Sequence, residues 1–522
     1  MTTRRATGTT RRIGAVVLAV VLVGAGCSSG GSDAGPTTTT SDKTAGATTT
    51  TAVRPPAKQD CWWPVEGLPA TVTVTCGTIA VPANHRDAGS KAIEVAYARV
   101  HDSRSHENAP PVVMLHGGPG GSELDAAPTV DDLSLPSLSE RDLILYDQRG
   151  TGRSTPSLNC PEVEQATLAD LDRNDPWAKE FATVETAAKA CRKRLVGEGI
   201  DLADYNTPAS VADMETIREA FGIRTWNVAG RSYGTRLGLA YARAHADRVR
   251  SLLIDSVYAP NVSSPKRNQA LPGQAIAKLT AACDAQPACL AANGHVDQQL
   301  TKAIAAFDAR PESTEAIINV DGKSITRHFT LTGSDLAGGL FAAQYQSALV
   351  PLLPSIIAAL ARGDRSIVPT FLSTGVPNLL SMSEGVFYSF ECEDSGRTFG
   401  PKGFQQMRED PGRNALYALG TAEPFCAAWK VPDVAASFQQ PVTVDVPTLV
   451  VGGTLDPITP FAESKAQAER MPKARFLAVP GAGHGDVANN DCTRSARDAF
   501  WDDPSTALPA CVAQLRAPAF AT

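Results

Sequence analysis

The stretch Trp226-Asn227-Val228-Ala229-Gly230-Arg231-Ser232-Tyr233-Gly234 constrains this chain more than any other. An apolar run reads as a strand ending at Gly230. A tight turn then carries Ser232, and Thr235–Ala246 reads as the helix that follows. Glycines two positions either side of the serine allow a close backbone approach and strained dihedrals that side chains would obstruct. Such a G-x-S-x-G turn lifts the serine hydroxyl out of a sheet. It also places a helix N-terminus behind it, where the dipole favours developing negative charge. The pentapeptide alone recurs by chance; the strand–turn–helix setting gives it weight.

The flanking sequence predicts a mostly parallel α/β sheet. Residues 71–76 and 93–100 alternate as antiparallel opening strands would. Pro111–Leu115 is a continuous apolar run, the mark of a buried strand, and Asp142–Tyr146 and Val249–Ile254 read as further buried strands. Ser210-Val211-Ala212-Asp213 has the pattern of a capping box opening the helix that ends near Gly222. From about 258 to 441 strand signals become sparse, and helical segments such as Ala275–Cys283 and Val296–Ala309 dominate. This reads as a mainly helical cap inserted between sheet strands. The sheet resumes at Val446–Gly453, with a helix near Phe461–Met471 and a strand at Ala474–Val479. The expected division is therefore 59–257 and 442–522 for the sheet domain and 258–441 for the cap.

Three loops, each just beyond a predicted strand, carry Ser232, Asp456 and His484 in that order. A serine hydroxyl is a poor nucleophile at neutral pH, so His484 would accept its proton and later deliver it to the leaving group. Asp456 would hold the imidazole in the useful tautomer. Asp255 also ends a strand and is the rival acid, read as a buried structural aspartate. An oxyanion hole needs two backbone N–H donors, expected from Tyr233 and from Gly118 in the loop His116–Gly121. A phosphate-binding reading of that loop is poor, because no Lys-Ser/Thr follows it. His116 is read as shaping the loop and Arg149 as tying loops together beneath the site. His245, His295 and His328 have no ligand-like spacing.

The net charge of −7 argues against a nucleic-acid footprint. Arg4, Arg5, Arg11 and Arg12 precede the short apolar run Ile13–Ala25, which suits a signal-peptide core. That run ends in Gly24-Ala25-Gly26-Cys27, similar to a lipobox, so residues 1–27 are expected to be a signal with lipid attached at Cys27. Residues 28–58 read as a flexible Thr/Ser/Gly-rich tether. The chain is thus expected to be exported, secreted or held at the cell surface through the lipid alone. Apart from Cys27, ten cysteines remain of the 11. The simplest scheme joins neighbours: Cys61 to Cys76, Cys160 to Cys191, Cys283 to Cys289, Cys392 to Cys426 and Cys492 to Cys511. No zinc-like spacing occurs among them, and no metal or organic cofactor is expected.

The motifs at 116–120 (HGGPG), 147–154 (DQRGTGRS) and 230–234 (GRSYG) resemble those of the prolyl and tripeptidyl aminopeptidase family of serine α/β-hydrolases. The loops around Asp456 and His484 resemble that family too, and the exported, cysteine-bearing organisation is similar to actinobacterial members. The resemblance covers about 61–511 and is weakest across the cap. Arg231 is a less usual occupant of its position. The resemblance implies an α/β-hydrolase fold and cleavage of peptide bonds near a free N-terminus through an acyl-enzyme. It also implies a carboxylate for the substrate ammonium, which maps onto Asp394, with Glu393 as the second candidate. A carboxylesterase or lipase would use the same three residues. A binding protein on a hydrolase scaffold is the reading from another class.

Overall fold

Leu143–Tyr146 is buried at all four positions and Thr448–Gly453 at all six, as strands covered on both faces require. The computed structural model describes residues 55–62, 68–106, 109–126, 141–175, 177–262, 265–320, 323–380, 382–395, 422–485 and 490–522. The leader, Cys27 and most of the tether lie outside these residues.

Nine strands form one sheet: β1 (Ala57–Gln59), β2 (Val72–Pro82), β3 (Ala92–Asp102), β4 (Val112–Leu115), β5 (Leu143–Tyr146), β6 (Trp226–Arg231), β7 (Val249–Asp255), β10 (Thr448–Gly453) and β11 (Ala474–Val479). Their order is β1-β2-β3-β5-β4-β6-β7-β10-β11. Pairing is antiparallel from β1 through β3 to β5 and parallel from β5 to β11. Alternate residues of each strand feed two cores. Val113, Ile144, Val228, Ile254 and Val450 pack on one face, and Val112, Leu145, Ala229, Leu253 and Val451 on the other. The expected strand at Ala474–Val479 and helix at Val296–Ala309 are found with the expected bounds.

Three local expectations change. The helix before β6 spans Thr207–Ala220 and is capped by Asn206, whose side chain accepts from the backbone N–H of Ala209 at 2.9 Å. Pro208 suits the first turn of a helix, so the start falls upstream of Ser210, which is buried. The helix after the turn begins at Tyr233, not Thr235. The inserted segment also holds an antiparallel hairpin, β8 (Glu312–Val320) and β9 (Lys323–Leu331). Its strands are rich in Glu, Ser and Thr because only one face is covered, through Ala316, Ile318, Phe329 and Leu331.

The insertion also divides in its packing. Leu271, Phe307, Phe341, Leu360 and Val376 form a core of their own that reaches Leu455 and Ile458. Val386, Phe390, Cys392, Cys426 and Trp429 instead join the main sheet core. Five disulfides close the ten cysteines in the neighbour-to-neighbour scheme.

Candidate active site

Ser232 sits at φ 57° and ψ −126°, in the left-handed half of backbone space where a serine is strained. The surroundings enforce it. The Ser232 N–H donates to the Asp255 carbonyl at 3.0 Å, and the Ser232 carbonyl accepts from the N–H and hydroxyl of Thr235 at 2.9 and 2.6 Å. A Cβ at Gly230 would overlap the Gly234 backbone, and one at Gly234 would overlap the carbonyl of Leu115. Both glycines are thus required by close backbone approach. The helix behind, Tyr233–Ala244, is buried at every position from Tyr233 to Ala242.

Asp456 lies just past β10 and is buried. Its Oδ1 accepts from the N–H groups of Ile458 and Thr459, each at 2.9 Å. Its Oδ2 accepts from the Thr459 hydroxyl at 2.7 Å and from Nδ1 of His484 at 2.9 Å. A carboxylate only accepts, so Nδ1 carries the imidazole proton and Nε2 is left as the basic nitrogen. Burial works to raise the Asp456 carboxyl. The electrostatic pull and hydrogen bond of His484, with the two hydrogen bonds from Thr459, outweigh it and hold the group below its ordinary value. The imidazole is steadied elsewhere: its backbone N–H donates to the Tyr345 carbonyl at 3.0 Å, and the Tyr345 ring meets it edge-on at 5.0 Å. Gly485, the next residue, donates to the Ser256 hydroxyl at the end of β7 at 2.8 Å. Ser232 Oγ has no hydrogen bond among the described residues; catalytic contacts commonly tighten only around substrate.

The loop expected to supply the second oxyanion donor packs on the serine. A Cβ at Gly117 would stand 2.9 Å from Ser232 Cβ. Gly118 takes φ +118°, a conformation that favours glycine. Ser383, just before the helix over residues 384–395, donates its N–H to the Gly120 carbonyl at 2.9 Å, so the inserted segment braces this loop.

Arg149 is buried and bonds both oxygens of Asp213, with Nε 2.7 Å from Oδ2, and also the carbonyls of Ala83 and Asp204. It joins the β2–β3 turn to the Thr207–Ala220 helix. Asp255 accepts from Ser232 through its backbone, while His484 pairs with Asp456. His295 pairs with Asp284 at 2.9 Å, His328 contacts Ser313 and Asp172, and His245 stacks on Tyr241.

Asp394 and Glu393 are both buried in the 384–395 helix. Asp394 Oδ2 accepts from the Thr207 hydroxyl, which also bonds the Tyr233 hydroxyl at 2.6 Å. Arg236, one turn beyond Ser232 and fully buried, lies 3.7 Å from Asp394 and 3.8 Å from Glu391. Its guanidinium stacks 3.8 Å from the Tyr258 ring centre. Burial raises Asp394 to about 6 and Glu391 to about 7, each opposed by Arg236. Burial raises Glu393 to about 10 against its 2.9 Å bond from Asn206. Among the described residues, one oxygen on each of Glu391, Glu393 and Asp394 has no hydrogen bond, nor do Nε and Nη2 of Arg236. Sequence reasoning did not single out Arg236, Glu391, Thr459 or Tyr345. The Asp456-x-x-Thr459 turn and the Glu391-x-x-Asp394 spacing on one helix face were the available signals for two of them.

A family model described as the alpha/beta hydrolase fold matches residues 110–275, and one described as TAP-like protein matches residues 415–510. The chain has the α/β-hydrolase fold, and these matches support a serine peptidase family of that fold. Serine protease Hip1 of Mycobacterium tuberculosis is 26% identical over 448 residues, 80% of this chain and 82% of that protein. Tripeptidyl aminopeptidase of Streptomyces lividans is 30% identical over 196 residues, 36% of each chain. Carboxylesterase B of Mycobacterium tuberculosis is 26% identical over 466 residues, 84% of this chain and 86% of its own length. The chain is a hydrolase with protease and esterase relatives, and its five disulfides accord with an oxidising compartment.

Proposed function

We propose that the protein is an exported serine aminopeptidase that cuts near a free N-terminus through an acyl-enzyme. The observation that carries this reading is the Asp456–His484 pair together with a strained Ser232 on the helix N-terminus, the neighbours Gly485 and Arg231 lying against each other. Ser232 attacks the scissile carbonyl while Nε2 of His484 takes its proton. The N–H groups of Tyr233 and Gly118 stabilise the oxyanion, and His484 returns the proton to the departing amine. Water repeats the sequence to release the acyl group. The TAP-like match and the protease relative support the peptidase assignment.

The substrate ammonium pairs with the acidic cluster on the 384–395 helix. Asp394 is the better partner: at neutral pH it is largely ionised, whereas Glu393, raised to about 10, is protonated and carries no counter-charge. The unfilled oxygens of Asp394 and Glu391 support a demand for a further donor. An esterase is the second reading, favoured by the carboxylesterase relative and by the burial of Asp394 against Arg236. Export with lipid attached at Cys27 is part of the proposal, and loss of fatty-acid labelling in Cys27→Ala tests it.

The deciding experiment pairs aminoacyl and tripeptidyl chromogenic amides with their N-acetylated twins and adds a short-chain ester. Cleavage restricted to free-amine amides, abolished in Ser232→Ala and relaxed in Asp394→Asn, supports the aminopeptidase. Ester turnover indifferent to an amine makes the protein an esterase.

A further inference from the structure

The side chain immediately before Ser232 is a cation with no opposite charge bonded to it among the described residues. Arg231 ends β6 and is exposed. Two contacts fix it. Its Nη2 donates to Nε2 of His116 at 3.3 Å, and its Cδ fills the space above Gly485, where a Cβ would overlap it. The His116 partner is neutral. Nδ1 of His116 lies 3.1 Å from the Gly117 carbonyl, which only accepts, so Nδ1 carries the proton and Nε2 is the acceptor Arg231 uses. Burial and the Arg231 charge push the His116 pKa down to about 4, which keeps the ring uncharged at neutral pH. The guanidinium is therefore anchored without being neutralised, and among the described residues it forms no ion pair. One of its five N–H donors is engaged, leaving a planar fork suited to a carboxylate.

Its place defines what it can meet. His116 opens the glycine loop packed on Ser232, and Gly485 directly follows His484. Arg231 therefore touches both loops, beside the residue that directly follows His484. We propose that Arg231 recognises a carboxylate on the leaving-group side of the scissile bond, so that short peptides cut next to their C-terminal carboxylate are preferred substrates. The peptide part of this inference rests on the peptidase reading; recognition of an anionic leaving group does not.

The test measures kcat/KM on free-amine peptides of two to four residues, each as the C-terminal acid and as its amide. A second series places Asp or Ala on the acyl side of the cut. A third pair, 4-acetoxybenzoate and its methyl ester, carries the same charge contrast on an ester leaving group. Wild type, Arg231→Gln and Arg231→Lys are compared as acid-to-neutral ratios. We expect wild type to favour the acid roughly tenfold, the scale of one charge-assisted contact at a partly shielded site. That ratio should collapse towards one in Arg231→Gln and recover in part in Arg231→Lys. Equal rates for acid and amide in wild type overturn the proposal without any variant. A ratio unchanged in Arg231→Gln overturns it too and leaves Arg231 a bridge between loops. A preference attached instead to the acyl-side Asp overturns the placement. If no peptide is cut, the peptidase reading falls, and the ester pair alone decides: a preference lost in Arg231→Gln upholds anion recognition, and indifference ends it.

Discussion

The backbone N–H of His484 donates to the carbonyl of Tyr345 at 3.0 Å, and the two rings meet edge-on at 5.0 Å. The inserted segment therefore helps to hold the proposed base. Next to it, the Gly483 N–H donates to the Ser347 hydroxyl at 2.7 Å. Because proton transfer depends on placement within about 1 Å, Tyr345→Ala should lower kcat roughly ten- to hundredfold with little change in KM. Tyr345→Phe keeps the ring and should stay near wild type. Steady-state kinetics on the two variants checks this, and equal losses would assign the effect to something other than the ring.

Asp255 ends β7 and Asp456 lies just past β10, and both are buried, yet of the two Asp456 is the one that meets the imidazole. Asp456→Asn should remove the charge that favours the Nδ1–H tautomer and lower kcat on the order of 10³–10⁴-fold at an almost unchanged melting temperature. Asp255→Ala should chiefly lower the melting temperature. Kinetics and thermal unfolding on both variants decide between them, and the opposite pattern would exchange their roles.

Much of this was legible because its causes are local. Strands covered on both faces show as apolar runs at Leu143–Tyr146 and Leu252–Ile254, and the glycines at 230 and 234 report a backbone approach at their own positions. The order Ser232, Asp456, His484 could be read because each follows a strand. The contact of Tyr345 with His484 spans 139 residues of sequence and leaves no local trace. Arg236 sits in a buried stretch of helix with no acidic residue on the same helix, and its partners Glu391 and Asp394 come from an element more than 150 residues away. The Asn206 cap was obscured by Ser210, which imitates a helix start one turn late.

The disulfide Cys392–Cys426 ties the 384–395 helix to Ala422–Trp429 across a sequence separation of 34. Closing a loop of that length restricts the unfolded chain by about 3–4 kcal/mol. The helix it fixes also carries Asp394, and the residue before its start, Ser383, braces Gly120. Cys392→Ala with Cys426→Ala should lower denaturant stability by about 2–4 kcal/mol and reduce turnover. Removing Cys283–Cys289, a separation of 6 in the inserted segment, should cost less and leave turnover closer to wild type. Chemical denaturation with activity assays on both double variants tests the ordering.

Glu393 offers a test of how charge is stored behind Tyr233. Burial above all, opposed by the Asn206 bond and reinforced by Asp394, raises its pKa from the ordinary 4.5 to about 10. The folded chain then holds a proton on Glu393 that the unfolded chain releases, throughout the window between those values. Stability from this group is full below pH 4.5 and is lost progressively as pH rises towards 10. Glu393→Gln imitates the protonated form at every pH and removes that slope. The melting temperature of wild type relative to Glu393→Gln should therefore fall from pH 5 to pH 8, by on the order of 2 °C or more. Paired thermal unfolding across that range gives the answer. A difference independent of pH would mean that Glu393 titrates in the fold as it does unfolded. It would then be ionised at neutral pH and would rejoin Asp394 as a partner for the substrate ammonium.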